Sequence, residues 1–200
     1  MKISSYDNFI TEKDQNKIES YLTNFSFPWY FTGNINNTLN KEEITKLKQK
    51  KLFKNKNVLE YSLLHHTFYV SPDFKTSLKN SQFSGLADEI LNVFKLRTNN
   101  HHLKIVRAKA NLQEIHPKAN KNTHSAPHRD APLYLKHKVL IYYVNESEGD
   151  TYIFDKNKKI KEKVDYKKGR FIFFDGSLLH SGGHPYKSPR RLIFNYNLIE

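Results

Sequence analysis

The spacing of hydrophobic residues changes about halfway along the chain. Before residue 103 they recur at every third or fourth position, which gives a helix one apolar side. Thr11 is placed to cap a helix running through Asn24, with Ile18, Tyr21, Leu22 and Phe25 on its apolar side. Asn40 is placed to cap a second, lysine-rich helix through Lys51. Ser84 opens a third, in which Leu86, Ile90, Leu91, Phe94 and Leu96 recur. Residues 29–31 and 65–70 read as short strands between them.

From residue 103 the chain breaks into short runs rich in Val, Ile, Phe and Tyr, at 103–112, 138–145, 151–155, 170–175 and 191–198. Turn-forming groups at 145–150, 155–157, 168–169 and 181–188 separate them. Many short strands after a helical start predict an α+β, mainly β fold. It is an antiparallel jelly roll, a double-stranded β-helix, with the N-terminal helices packed on its outside. One domain spans 1–200, with 1–102 a mainly helical support region and 103–200 the jelly-roll core. No repeat or linker divides it.

Composition narrows the chemistry. There is no cysteine, which excludes disulfides, thiolate metal sites and cysteine nucleophiles. The first ten residues lack the apolar stretch of a signal peptide, and the longest apolar run, 139–144, is too short to cross a bilayer. The expectation is a soluble, cytoplasmic protein with no membrane partner; nothing in the chain fixes an oligomeric state. The net charge of +13 suggests nucleic acid as a partner, but lysine supplies most of it. Arginine, the usual reader of bases and the better fork for phosphate, occurs only at 97, 107, 129, 170, 190 and 191. Lysine spread among abundant asparagine is also what a biased base composition produces.

Ten histidines make any one of them uninformative, and His65–His66 and His101–His102 read as structural. His128-Arg129-Asp130 is different. Along an extended segment side chains alternate, so His128 and Asp130 project to one side and Arg129 to the other. A third ligand is needed from elsewhere. His180 follows the aromatic run 171–174 and the turn Asp175-Gly176-Ser177, whereas His184 lies deeper in a Gly/Pro loop. Two histidines and one carboxylate make the facial triad of non-haem Fe(II) oxygenases. By itself this spacing also fits two loop residues and a turn histidine. Arg191 adds a guanidinium at the start of the last strand, able to fork onto a carboxylate. Tyr142 adds a phenol in the strand after His128-Arg129-Asp130.

These pieces are joined by residues 107–112, Ile141-Tyr142-Tyr143-Val144-Asn145, Gly149-Asp150-Thr151, Phe173-Phe174-Asp175-Gly176, His180-Ser181-Gly182-Gly183 and residues 191–197. In that order, residues 104–198 resemble the 2-oxoglutarate/Fe(II)-dependent dioxygenase superfamily. The likeness is strongest to its prolyl-4-hydroxylase-like branch and small phage-type members, which suggests a viral protein acting in a host cell. The resemblance implies a double-stranded β-helix, with His128, Asp130 and His180 as both catalytic residues and iron ligands. It implies Tyr142 and Arg191 at the distal carboxylate of 2-oxoglutarate, with Arg190 as the fallback. Fe(II), 2-oxoglutarate and O2 would be required, and Leu140, Phe171 and Phe173 would wall the site. The implied reaction is hydroxylation of a C–H bond of a small molecule, amino acid or protein side chain. Alternatives are oxidation of a nucleic-acid base or methyl group, a hydrolytic zinc site, and a non-catalytic jelly-roll binding module. On the run 107–112, Arg107, Lys109 and Asn111 alternate with apolar residues. Their polar face is either a solvated surface or the lining of the barrel mouth near the prime substrate.

Overall fold

A computed structural model of the chain describes residues 3–32, 57–59 and 62–200. The helix expected from Asn40 through Lys51 lies outside these residues. In chain order the elements are β1 (Ser4–Tyr6), α1 (Glu12–Leu22), β2 (Tyr30–Thr32), β3 (Leu63–Val70), β4 (Leu78–Lys79) and α2 (Ser84–Thr98). They continue as β5 (Lys104–Glu114), β6 (Lys138–Tyr143), β7 (Thr151–Phe154), β8 (Ile160–Val164), β9 (Phe171–Asp175), β10 (Leu179–Gly182) and β11 (Arg190–Ile199). Thr11 caps α1 as expected: its hydroxyl accepts from the Asp14 amide at 3.2 Å, and Glu12 and Asp14 sit in the first turn, where the helix dipole favours acids. α2 ends where Asn99 adopts the left-handed conformation, φ 56°, and hands its amide to the Lys95 carbonyl.

The strands form two antiparallel sheets. The larger runs β1-β9-β6-β11-β5-β3-β2, with β4 attached to β3, and the smaller runs β10-β7-β8. This is the double-stranded β-helix the strand pattern predicted. The first hundred residues, expected to be mainly helical, also contribute four strands to the large sheet.

Side-chain alternation sorts the interior into two clusters. On one face of the large sheet, Leu140, Tyr142, Phe171, Leu192, Phe194, Tyr196 and Leu198 pack with Ile10, Leu22, Ala87, Ile90, Leu91 and Phe94 from α1, α2 and the turn before α1. The helices therefore cover the outside of the barrel. On the other face, Val139, Ile141, Tyr143, Ile172, Phe174 and Ile193 meet Ile153 of the small sheet. A pocket with a largely polar lining opens beside this second, thinner cluster.

Three elements differ from the sequence pattern. β10 occupies part of a stretch read as a turn; Ser181 and Gly182 pair with Tyr152 and Thr151 of β7. β8 carries Ile-Lys-Glu-Lys-Val with only Val164 partly buried, so it has no apolar stripe to betray it. β1 is three residues long and is held by β9.

Candidate metal centre and adjoining pocket

His128 and His180 face each other across a short antiparallel bridge. The His128 amide donates to the His180 carbonyl at 2.9 Å, and the His180 amide returns the bond at 3.0 Å. Directly opposed residues of such a pair lie on one face, and the two imidazoles stand 4.8 Å apart, centroid to centroid. Each ring is oriented the same way. Nδ1 of His128 meets the Ala126 carbonyl and Nδ1 of His180 meets the Leu178 carbonyl, both at 3.1 Å. A carbonyl accepts only, so each Nδ1 carries the proton and each Nε2 presents a lone pair.

Asp130, two residues beyond His128, completes the group. Its carboxylate lies 3.8 Å from Nε2 of each histidine, and the three donor atoms all fall within 4.8 Å of one another. The expectation that Arg129 turns away holds: its guanidinium donates to the Ser177 carbonyl at the surface. His184 is not part of the cluster.

Electrostatics favour ligation. Burial, and next the neighbouring His180 ring, pulls His128 down to about 4, so its imidazole is neutral at ordinary pH. Burial opposes the charge of Asp130, but Arg107 at 3.2 Å leads the groups that hold its carboxyl well below the usual range. Asn195 and Asn197 each donate a side-chain amide to Asp130 Oδ2, at 3.1 and 3.0 Å. Such outer partners orient a ligating carboxylate. The Nε2 atom of His180 is buried and has no hydrogen-bond partner. A buried lone pair left unpaired is costly, and a cation would satisfy it. Two imidazoles and one carboxylate, pre-oriented this way, fit a divalent iron.

The pocket continues from the triad along β5 and β11. It is lined by Lys109, Asn111 and Gln113 on one side and Thr151, Ser181 and Arg191 on the other. Arg191 is buried, and its Nε donates to the Gly149 carbonyl at 2.6 Å. Its Nη2 reaches Thr151 Oγ1 at 3.4 Å, and its plane lies over the rings of Tyr143 and Tyr166. Arg190 is exposed, as strand alternation requires. At Gly149 an added Cβ would sit 2.3 Å from Arg191 Cδ, so only glycine lets the arginine lie where it does.

Tyr142 requires a correction. It pairs with Phe171 and Phe194 and points into the helix-side cluster, where its hydroxyl is buried without a partner. Burial pushes that phenol upward. Its neighbour Tyr143 is the one on the arginine side, donating to Thr151 Oγ1 at 2.7 Å. The same one-residue parity removes Leu140, Phe171 and Phe173 from the pocket walls; Ile141 and Ile193 line it. Asn195 and Asn197 were not singled out from the sequence. Their signal is parity, since both stand in phase with Arg191 on β11.

No protein-family model and no curated protein sequence matches the chain. Its fold does match solved structures. One is an oxidoreductase of the 2OG-Fe(II) oxygenase family from Burkholderia pseudomallei (TM-score 0.55, 10% identity, covering 94% of this chain and 92% of that one). Another is a viral collagen prolyl hydroxylase from Paramecium Bursaria Chlorella virus-1, solved with 2OG (TM-score 0.51, 15% identity, 98% and 94% covered). A third is the non-heme alpha ketoglutarate dependent epimerase SnoN of nogalamycin biosynthesis (TM-score 0.55, 10% identity, 99% and 78% covered). The chain thus has the fold of the 2-oxoglutarate/Fe(II) oxygenases, prolyl hydroxylases included. Among the described residues no helix is long and apolar enough to cross a membrane.

Proposed function

We propose that the protein is an Fe(II)- and 2-oxoglutarate-dependent dioxygenase that hydroxylates a C–H bond of a small molecule, amino acid or protein side chain. The observation that carries this reading is the opposed His128–His180 pair. Both Nε2 lone pairs are turned toward one carboxylate, and a buried arginine lies in the same pocket. When bound, Fe(II) with 2-oxoglutarate and O2 supplies the oxidant for an unactivated C–H bond, releasing succinate and carbon dioxide.

The residues divide the remaining work. His128, Asp130 and His180 hold the metal, with Asn195 and Asn197 fixing the carboxylate. Arg191 holds the distal carboxylate of 2-oxoglutarate, with the Thr151 hydroxyl beside it in the role first given to Tyr142. Tyr143 and Tyr166 stack at 4.1 Å under the guanidinium and keep its aim. Ile141 and Ile193 keep water from that part of the wall. A zinc hydrolase would have no use for the buried arginine.

The test is anaerobic addition of Fe(II) and 2-oxoglutarate to purified protein, followed by air. A weak visible charge-transfer band and then succinate are expected. Absence of both would end this reading.

A further inference from the structure

β5 carries a polar row that the chemistry above does not use in full. Arg107, Lys109, Asn111 and Gln113 alternate with Val106, Ala108, Ala110 and Leu112, and the apolar set is buried. In register with β11, Gln113 stands beside Arg191, Asn111 beside Ile193, Lys109 beside Asn195 and Arg107 beside Asn197. The row therefore runs from the arginine end of the pocket to the Asp130 end. The two cations are at the metal end.

Neither cation is satisfied by the fold. Arg107 touches Asp130 with one arm, Nη2 to Oδ1 at 3.2 Å, while its Nε is buried with no partner. Lys109 lines the pocket, and among the described residues no carboxylate lies within ion-pair distance of it. Asp130 is the one acid among the residues lining the pocket, and it already receives two asparagine amides. A metal dication and the 2-oxoglutarate dianion would cancel each other. Lys109 and Arg191 in the lining, with Arg107 behind it against Asp130, would still outnumber the single carboxylate by two. Partly buried charge without a counter-charge is unfavourable, and an incoming anion relieves it.

We propose that the prime substrate carries an acid group, a carboxylate or a phosphate monoester, which Arg107 and Lys109 bind beside the metal. This rests on the oxygenase reading and adds a substrate class to it. A planar guanidinium that gives only one arm to Asp130, next to a primary ammonium, offers several donors to one small anion. The same pair would discriminate against the neutral amide of the same shape.

The test uses the full chain loaded with Mn(II), which binds such sites without turnover, and saturating 2-oxoglutarate. The probes are butyrate, butyl phosphate and butyramide, and the readout is paramagnetic relaxation of their protons. One of the two acids should relax several-fold faster than butyramide, and the faster of them identifies the acid. Lys109→Gln should reduce that preference several-fold while Mn(II) and 2-oxoglutarate still bind, as read by electron paramagnetic resonance and calorimetry. Arg107→Gln should do the same, although its contact with Asp130 makes Lys109→Gln the cleaner variant. Equal relaxation of acids and amide overturns the proposal, and so does a preference that survives Lys109→Gln. Wild-type protein that binds neither Mn(II) nor 2-oxoglutarate overturns the oxygenase reading first, before any probe is added.

Discussion

The two faces of the large sheet are built from the same strands yet obey opposite rules. On the helix side, β6 and β11 present Leu140, Tyr142, Leu192, Phe194, Tyr196 and Leu198, buried among aromatic and aliphatic side chains. On the inner side, β5 and β11 present Arg107, Lys109, Asn111, Gln113, Arg191, Asn195 and Asn197. Several of these inner residues leave polar atoms unpaired: Arg107 Nε, Asn111 Oδ1, Gln113 Nε2 and Asn195 Oδ1. Fully burying a large apolar side chain stabilises by about 1.5–3 kcal/mol, whereas an unpaired buried polar atom costs about 1–3 kcal/mol. The helix side holds the fold together. The β5–β11 part of the inner side keeps its polar row against that gradient.

The comparison breaks most visibly if the two faces are cut in turn. Asp130→Ala should lower iron-dependent succinate formation by at least about a hundredfold, because it removes the one carboxylate of the cluster. Its cost to stability should be smaller than that of a deletion in the helix-side core, because it strands Arg107 and two asparagine amides but opens no cavity there. Phe194→Ala, one position before Asn195, should do the reverse. Its ring is fully buried and stacks on Phe68 at 5.2 Å, so the loss should be about 3–5 kcal/mol in chemical denaturation. If Asp130→Ala proved as destabilising as Phe194→Ala, the division between the faces would fail.

A smaller effect tests the arginine end. Gly149→Ala should drive a methyl into Arg191 and shift the guanidinium, weakening 2-oxoglutarate by about 10- to 100-fold, the worth of a charge-assisted pair. Iron binding should persist. Tyr142→Phe, by contrast, should leave 2-oxoglutarate affinity within about twofold. Removing an unpaired hydroxyl from the helix-side core should leave stability equal or higher by up to about 1 kcal/mol. Calorimetry on both variants separates Tyr142 from Arg191, which the sequence alone placed together.

That misplacement shows where sequence is legible and where it is not. His128 and Asp130 were readable because a charged residue lies between them and the segment is extended; parity alone sets their shared side. Parity put Arg190 and Arg191 on opposite faces, but only the register of the family resemblance chose between them. Tyr142 sits within the run Leu140-Ile141-Tyr142-Tyr143-Val144, where every position is buried. A strand apolar on both faces has no alternation to fix its register, and a slip of one residue exchanges the faces. β8 failed for the opposite cause, being exposed nearly throughout. β10 was hidden because its identity comes from pairing with β7 and not from its own composition. The polar face of β5 was visible as a pattern. Its direction came only from the partner strands.

The least of the expected effects concerns a contact that belongs to neither face. Asp7, just after β1, takes two bonds from Arg170, from Nε at 2.8 Å and Nη2 at 3.0 Å, and one from Lys167 at 3.0 Å. These tie β1 to the start of β9 at the edge of the sheet. The Arg170 hydrogen bond leads the causes that lower Asp7 to about 2. A depressed carboxyl stabilises fully above its ordinary value near 3.8 and loses that contribution as pH falls through about 2. Asp7→Asn should therefore be less stable than the wild type at pH 6, by about 1 kcal/mol for a partly buried pair at the sheet edge. The difference should shrink steadily below pH 4 and vanish near pH 2. Thermal midpoints of both proteins across that range measure it. A difference that stayed constant with pH would mean that Asp7 acts through backbone packing at the β1 turn and not through its charge.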